Sequence, residues 1–176
     1  MGRIKEVLSK CKIWRWYILI FVTVGSQKFQ FNRLLIEIDR LIESNLIDDK
    51  VFAQIGYSTY IPKNFDYKMF LDKNEYIDKI DNCEIVITHG GTGSIINSVK
   101  KGKKVIGVPR QSEYGEHVDN HQYDIIDQFY ESNLIYGISG IESLEKALRE
   151  IKKINFREYT SNTKNIIGIL DDFLLA

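Results

Sequence analysis

The residues with the clearest chemical potential lie in the stretch THGGTGS, where Gly90, Gly91 and Gly93 are interleaved with the hydroxyls of Thr92 and Ser94 just after His89. Glycines let backbone approach a ligand closely, and a helix starting there offers free N–H groups and the positive end of its dipole to an anion. A second loop, VGSQKF, places Gly25, Ser26 and Gln27 in the same kind of setting, although a lone glycine such as Gly25 often serves only to turn the chain. The pair of loops predicts a phosphate or diphosphate site. Two common phosphate-binding patterns do not fit. Gly102-Lys103-Lys104 lacks the Gly-Lys-Ser/Thr order of a magnesium-nucleotide loop, and Ile96 stands where a dinucleotide fingerprint needs its third glycine.

The elements that must position these loops are legible in the apolar pattern. The run YILIFVTV (17–24) is rich in β-branched residues and predicts a buried strand. Phe31, Leu34, Leu35, Ile38, Leu41 and Ile42 then recur at helical spacing. Strands are expected at VFAQI (51–55), DYKMF (66–70), EIVIT (84–88), KVIGVP (104–109) and LIYGI (134–138). Helices are expected around Ile77 and Ile80, Ile95 to Val99, Ile125 to Phe129, Leu144 to Ile151 and Ile166 to Leu174. Short apolar strands alternating with helices predict an α/β fold, a single Rossmann-like domain with a parallel sheet. In such sheets ligands sit beyond the carboxyl ends of the strands, where both glycine loops fall.

Composition narrows the function classes. A chain of 176 residues with 44% hydrophobic content suits one domain, and 24 basic against 24 acidic residues leave no whole-chain attraction for nucleic acid. Cys11 and Cys83 are too few for a disulfide framework or a zinc cluster. Residues 1–16 form a basic extension, with Arg3, Lys5, Lys10, Lys12 and Arg15 against Glu6 and with Trp14 and Trp16 alongside. Such a segment suits an anionic bilayer surface, or is a frayed end without a role. The apolar run after it is too short to span a membrane. A basic start before an apolar core also resembles a signal peptide, but no small-residue cleavage site follows. Residues 17–176 are therefore read as the folded domain.

Four blocks in order, FVTVGSQKFQFNRLL, ITHGGTGSI, GKKVIGVPRQ and HVDNHQ, resemble the glycosyltransferase family 28 C-terminal domain, the MurG-like donor-sugar half of a GT-B glycosyltransferase. The likeness covers about residues 18–175 and is closest to small stand-alone catalytic subunits, including the PssE-type subunits of capsule and exopolysaccharide synthesis. The resemblance implies a UDP-sugar substrate and no separate cofactor. It places Gly25, Ser26, Gln27 and the loop of His89, Gly90, Gly91, Thr92, Gly93 and Ser94 around the diphosphate, and Leu71 by the uracil. It assigns Gln111, Asp119, Asn120 and Gln122 to the donor-sugar hydroxyls, which polar side chains can bond. The family's acidic ribose contact is replaced here by Asn97, which lacks charge assistance.

Inverting transfer also needs a base for the acceptor hydroxyl and stabilisation of the leaving diphosphate. His117 and Glu116 are the candidate bases, and Arg110 is a candidate cation for the diphosphate. No metal is expected, because fixed amides can take that charge. One domain supplies half of a two-domain enzyme, so the resemblance implies a membrane-anchored acceptor-binding subunit carrying a lipid-diphosphate-linked sugar. It also implies a cytoplasmic place at the inner membrane face through that partner. The rival readings are a non-catalytic UDP-sugar-binding regulatory subunit, a nucleotide-sugar epimerase or hydrolase, and an interaction domain that binds no nucleotide. An epimerase is not supported, since no Tyr-x-x-x-Lys pair accompanies a dinucleotide loop.

Overall fold

The computed structural model describes residues 18–161. The basic extension 1–16 and the helix expected around Ile166 to Leu174 lie outside the described residues. Six parallel strands form one sheet in the order β3-β2-β1-β4-β5-β6: β1 Leu19–Thr23, β2 Lys50–Gln54, β3 Asp66–Lys68, β4 Ile85–His89, β5 Lys104–Val108 and β6 Tyr136–Gly137. The central strand β1 pairs with β2 through Phe21 and Phe52 and with β4 through Phe21 and Val86. The chain winds to one side of β1 and then to the other, so the crevice between β1 and β4 is the point where ligands bind in such sheets.

Among the described residues five α-helices cover the two faces: α1 Asn32–Glu43, α2 Lys73–Asn82, α3 Thr92–Val99, α4 Gln122–Glu131 and α5 Leu144–Ile151. Helix α1 buries Leu34, Leu35, Ile38 and Leu41, as its periodicity predicts, and shares its face of the sheet with α5. Helices α2, α3 and α4 pack Ile80, Ile95, Val99 and Ile126 against Phe21, Val86 and Val105 on the other face. Burial on both faces is what makes β1, β4 and β5 read as continuous apolar runs. Cys83 lies in this second core as a packing residue, its thiol pushed up to about 11 by burial.

The two edge strands are shorter than the apolar pattern predicts. At the edge, β3 keeps only Asp66–Lys68, all exposed, although Lys68 and Met69 carbonyls still accept from Ile55 and Gly56. In LIYGI only Tyr136 and Gly137 are in register with β5, with the Ile138 N–H donating to the Gly107 carbonyl beyond them, while Ile135 is buried in the second core. No described helix is long and apolar enough to cross a membrane.

Candidate functional site

The loop after β1 and the start of α3 open onto a cavity of about 620 Å³, bounded by the ends of β1 and β2 and by α2. Of the residues singled out in the sequence, Gly25, Ser26, Leu71, Gly93, Ser94 and Asn97 line it. Helix α3 begins at this cavity with Gly91 as its N-cap and with neither a side-chain cap nor an acidic residue in its first turn. The first N–H groups of a helix have no partner within it, so Thr92, Gly93 and Ser94 present donors that an anion can use. Contrast α2, which starts with a complete capping box between Asp72 and Glu75. Gly93 is exposed, and a Cβ built there meets nothing within 4 Å.

Sequence reasoning missed several residues of this cavity. Gln54, at the end of β2, accepts from the Leu71 N–H at 3.1 Å and donates to the Gly25 carbonyl at 3.4 Å, tying the first loop to the Leu71 segment. Tyr76 on α2 sets its ring edge-on to Phe21 at 5.5 Å; burial raises its phenol, opposed by hydrogen bonds to Ser94 and Thr23. Lys73, Lys100 and Lys101 also line the cavity. Lys73 opens α2 while Lys100 and Lys101 follow α3, and nothing in their spacing distinguishes them from solvated lysines.

His89 does something other than meet the donor directly. Its buried ring lies between the two glycine loops: a Cβ on Gly25 would come within 2.6 Å of His89 Cε1, and one on Gly91 within 2.3 Å of Nε2. Gly25 also has a φ of +79°. These two glycines are therefore required by the imidazole and, at Gly25, by the turn. Burial, then the nearby Arg110 charge, lowers the His89 pKa from 6.5 to about 4. The unfolded chain binds this proton more readily, so the stabilisation is complete above about pH 6.5 and is lost as pH falls toward 4. Urea unfolding of the wild type should lose about 3 kcal/mol more than His89→Gln over that window; equal losses would exclude His89 as the acid-sensitive group.

Most of the remaining predicted residues lie between β5 and the first turn of α4, outside the cavity, and several of them are held by partners within the fold. Arg110 is fully buried: its Nη2 donates to the Val24 carbonyl at 2.5 Å and the Phe29 carbonyl at 3.3 Å, while Nε and Nη1 have no hydrogen-bond partner among the described residues. Burial depresses its pKa to about 10, with Glu116 opposing. It braces the first loop from beneath and is not open to a diphosphate. Glu116 is likewise fully buried, accepting from Arg33 Nε at 3.1 Å, Arg33 Nη2 at 2.9 Å and the Gln111 N–H at 3.0 Å. A carboxylate held this way is a structural counter-ion, not a base facing an acceptor. Gln122 is also buried; its Oε1 accepts from the Gly90 N–H at 3.0 Å and the Arg110 N–H at 3.1 Å. That oxygen joins two loops and is not free for a sugar.

The other members stay open or half-open. Gln111 donates to the Tyr123 hydroxyl at 2.5 Å. The exposed Asn120 accepts from the Ser112 N–H at 2.9 Å. Asp119 is exposed and bonded to His117 and His121, and the His121 contacts hold its carboxyl below the usual range. His117 tucks its ring against Phe29 at 5.1 Å. Gln27 is exposed in the first loop but does not line the cavity.

Comparison with known proteins agrees with this geometry. A model of the glycosyltransferase family 28 C-terminal domain matches residues 19–172. The chain is similar to the UDP-N-acetylglucosamine transferase subunit ALG13 of Mus musculus, 31% identical over 124 residues, which is 66% of this chain and 10% of that protein. The same-named subunit of Kluyveromyces lactis is 39% identical over 69 residues, 39% of this chain and 33% of that protein. The chain thus spans 10% to 33% of the length of these two relatives. Among solved structures, MurG of Acinetobacter baumannii aligns with a TM-score of 0.55 and 12% identity over 77% of this chain and 41% of that one. The glycosyltransferase SnogD of Streptomyces nogalater aligns with 0.55 and 16% over 77% and 35%. These alignments show a shared fold.

Proposed function

The chain belongs to the glycosyltransferase family 28 C-terminal domains, and on that premise we propose that it is the donor-binding, catalytic subunit of a two-component inverting glycosyltransferase using a UDP-sugar. The observation that carries this is the uncapped start of α3 opening onto a 620 Å³ cavity beside the Gln54–Leu71 link. The diphosphate lies on the Thr92, Gly93 and Ser94 amides, the uracil edge meets the Leu71 backbone, and Asn97 faces the ribose. Gln111, Asp119 and Asn120 reach the sugar hydroxyls.

In the transfer an acceptor hydroxyl attacks the sugar's anomeric carbon, the bond to the diphosphate breaks, and UDP leaves with the bonding pair. The α3 amides, with Lys73 and Lys100 at the rim, stabilise that developing charge without a metal. With Glu116 locked to Arg33, His117 is the base candidate left in this chain; an acceptor subunit is the other source. That subunit is membrane-anchored, carries a lipid-diphosphate-linked sugar, and holds this chain at the inner membrane face. The relatives' name, a transferase subunit for UDP-N-acetylglucosamine, supports both a partner and that sugar over galactose. A role in capsular or exopolysaccharide synthesis rests on the resemblance to the small bacterial subunits alone.

Calorimetric titration with UDP, UDP-N-acetylglucosamine and UDP-galactose tests the reading. UDP should bind and the N-acetylglucosamine donor should bind more tightly than the galactose one. Silence with all three, for the chain alone and with its acceptor subunit, would overturn it. Binding without transfer to a lipid-linked acceptor by the reconstituted pair would identify a regulatory subunit.

A further inference from the structure

Outside the cavity, the loop leading into α4 carries His117, Asp119 and His121 at alternate positions, and the fold brings one ligand-type atom of each within 4.8 Å of the others. His117 Nδ1 lies 3.2 Å from Asp119 Oδ1, and His121 Nδ1 makes a short contact with the same oxygen. The imidazole centroids are 4.8 Å apart and the rings are inclined by 64°, so the two nitrogens converge on the carboxylate without stacking. The His117 side chain is only 7% exposed, whereas Asp119 is 56% and His121 49% exposed. One ligand is thus fixed by packing on Phe29 and two face solvent.

We propose that His117, Asp119 and His121 form a binding site for a divalent transition-metal ion of the zinc class. Two imidazole nitrogens and one carboxylate oxygen are borderline donors that suit Zn²⁺, Co²⁺, Ni²⁺ or Cu²⁺, whereas Mg²⁺ and Ca²⁺ want oxygen shells. The 3.2 Å separation of His117 Nδ1 and Asp119 Oδ1 is close to the ~3.3 Å that two ligands about 2.0 Å from a tetrahedral ion subtend. Three protein ligands leave a further position for water or a bound molecule. None of the three residues lines the diphosphate cavity, but His117 and Asp119 are also the base candidate and a sugar contact of the proposed transfer, so a bound ion would compete with both roles, and the metal titration reads the site without relying on turnover.

Cobalt titration of the untagged chain, followed by visible d–d absorption and by competition with Zn²⁺, tests the site. The expected result is one Co²⁺ per chain, displaced by Zn²⁺ and not by Mg²⁺, with at least a tenfold loss of affinity in His121→Ala and no absorption in His117→Ala/His121→Ala. His121 is exposed, so its single variant should melt as the wild type does and keeps the test independent of the more buried His117. Wild-type spectra matching the double variant's, or unchanged affinity in His121→Ala, would overturn the assignment.

Discussion

Gly93→Asp is expected to weaken UDP binding at least a hundredfold, while the folded protein melts within about 2 °C of the wild type. A hundredfold loss corresponds to about 2.7 kcal/mol, well within the several kcal/mol that placing like charges together in a binding site costs. The fold has room for the substitution: nothing lies within 4 Å of the added Cβ, and the backbone there is ordinary helix. An aspartate in the first turn even favours the helix, because its charge opposes the dipole's positive end. Stability and binding should therefore move in different directions, which a general disruption would not produce. Gly93→Ala serves as the neutral control, expected to bind with a much smaller loss. Calorimetry beside a thermal melt decides it, and wild-type UDP affinity in the aspartate variant would remove the diphosphate from the start of α3.

Glu116→Ala is expected to cost about 3–5 kcal/mol, the usual result of removing one partner of a buried ion pair. It leaves the Arg33 guanidinium, the Gln111 N–H and the nearby buried Arg110 without their shared counter-charge. For a chain of this size the melting temperature should fall by about 10 °C or more. A residue acting only as a base would behave oppositely, abolishing turnover with an unchanged melt. A urea titration of the purified variant separates the two, and an unchanged midpoint would restore Glu116 as a base candidate.

The alternation of strands and helices was readable because burial on both sheet faces leaves uninterrupted apolar runs in β1, β4 and β5, and α1 shows its packed face through Leu34, Leu35 and Ile38. The cavity was readable through Gly93 and Ser94 for the same local reason, since a helix start needs only neighbouring residues to be recognised. What the sequence concealed were partnerships across long separations. Glu116 looks reactive beside His117 until Arg33, 83 positions earlier, is seen to hold it. Gly91 looks like a ligand contact until the His89 ring fills the space its side chain would need. Gln54 and Tyr76 carry no local signal, because a glutamine ending a strand and a tyrosine on an amphipathic helix are common on any surface.

The single oxygen of Gln122 that accepts from both Gly90 and Arg110 bears on how this domain can be re-engineered. The glycine loop and the loop after β5 are hinged to one atom on α4, so grafting either from a relative with different donor preference would import a mismatched anchor. Chimeras should exchange residues 89–94, 109–111 and 119–123 as one cassette, leaving the rest of the sheet as the host scaffold.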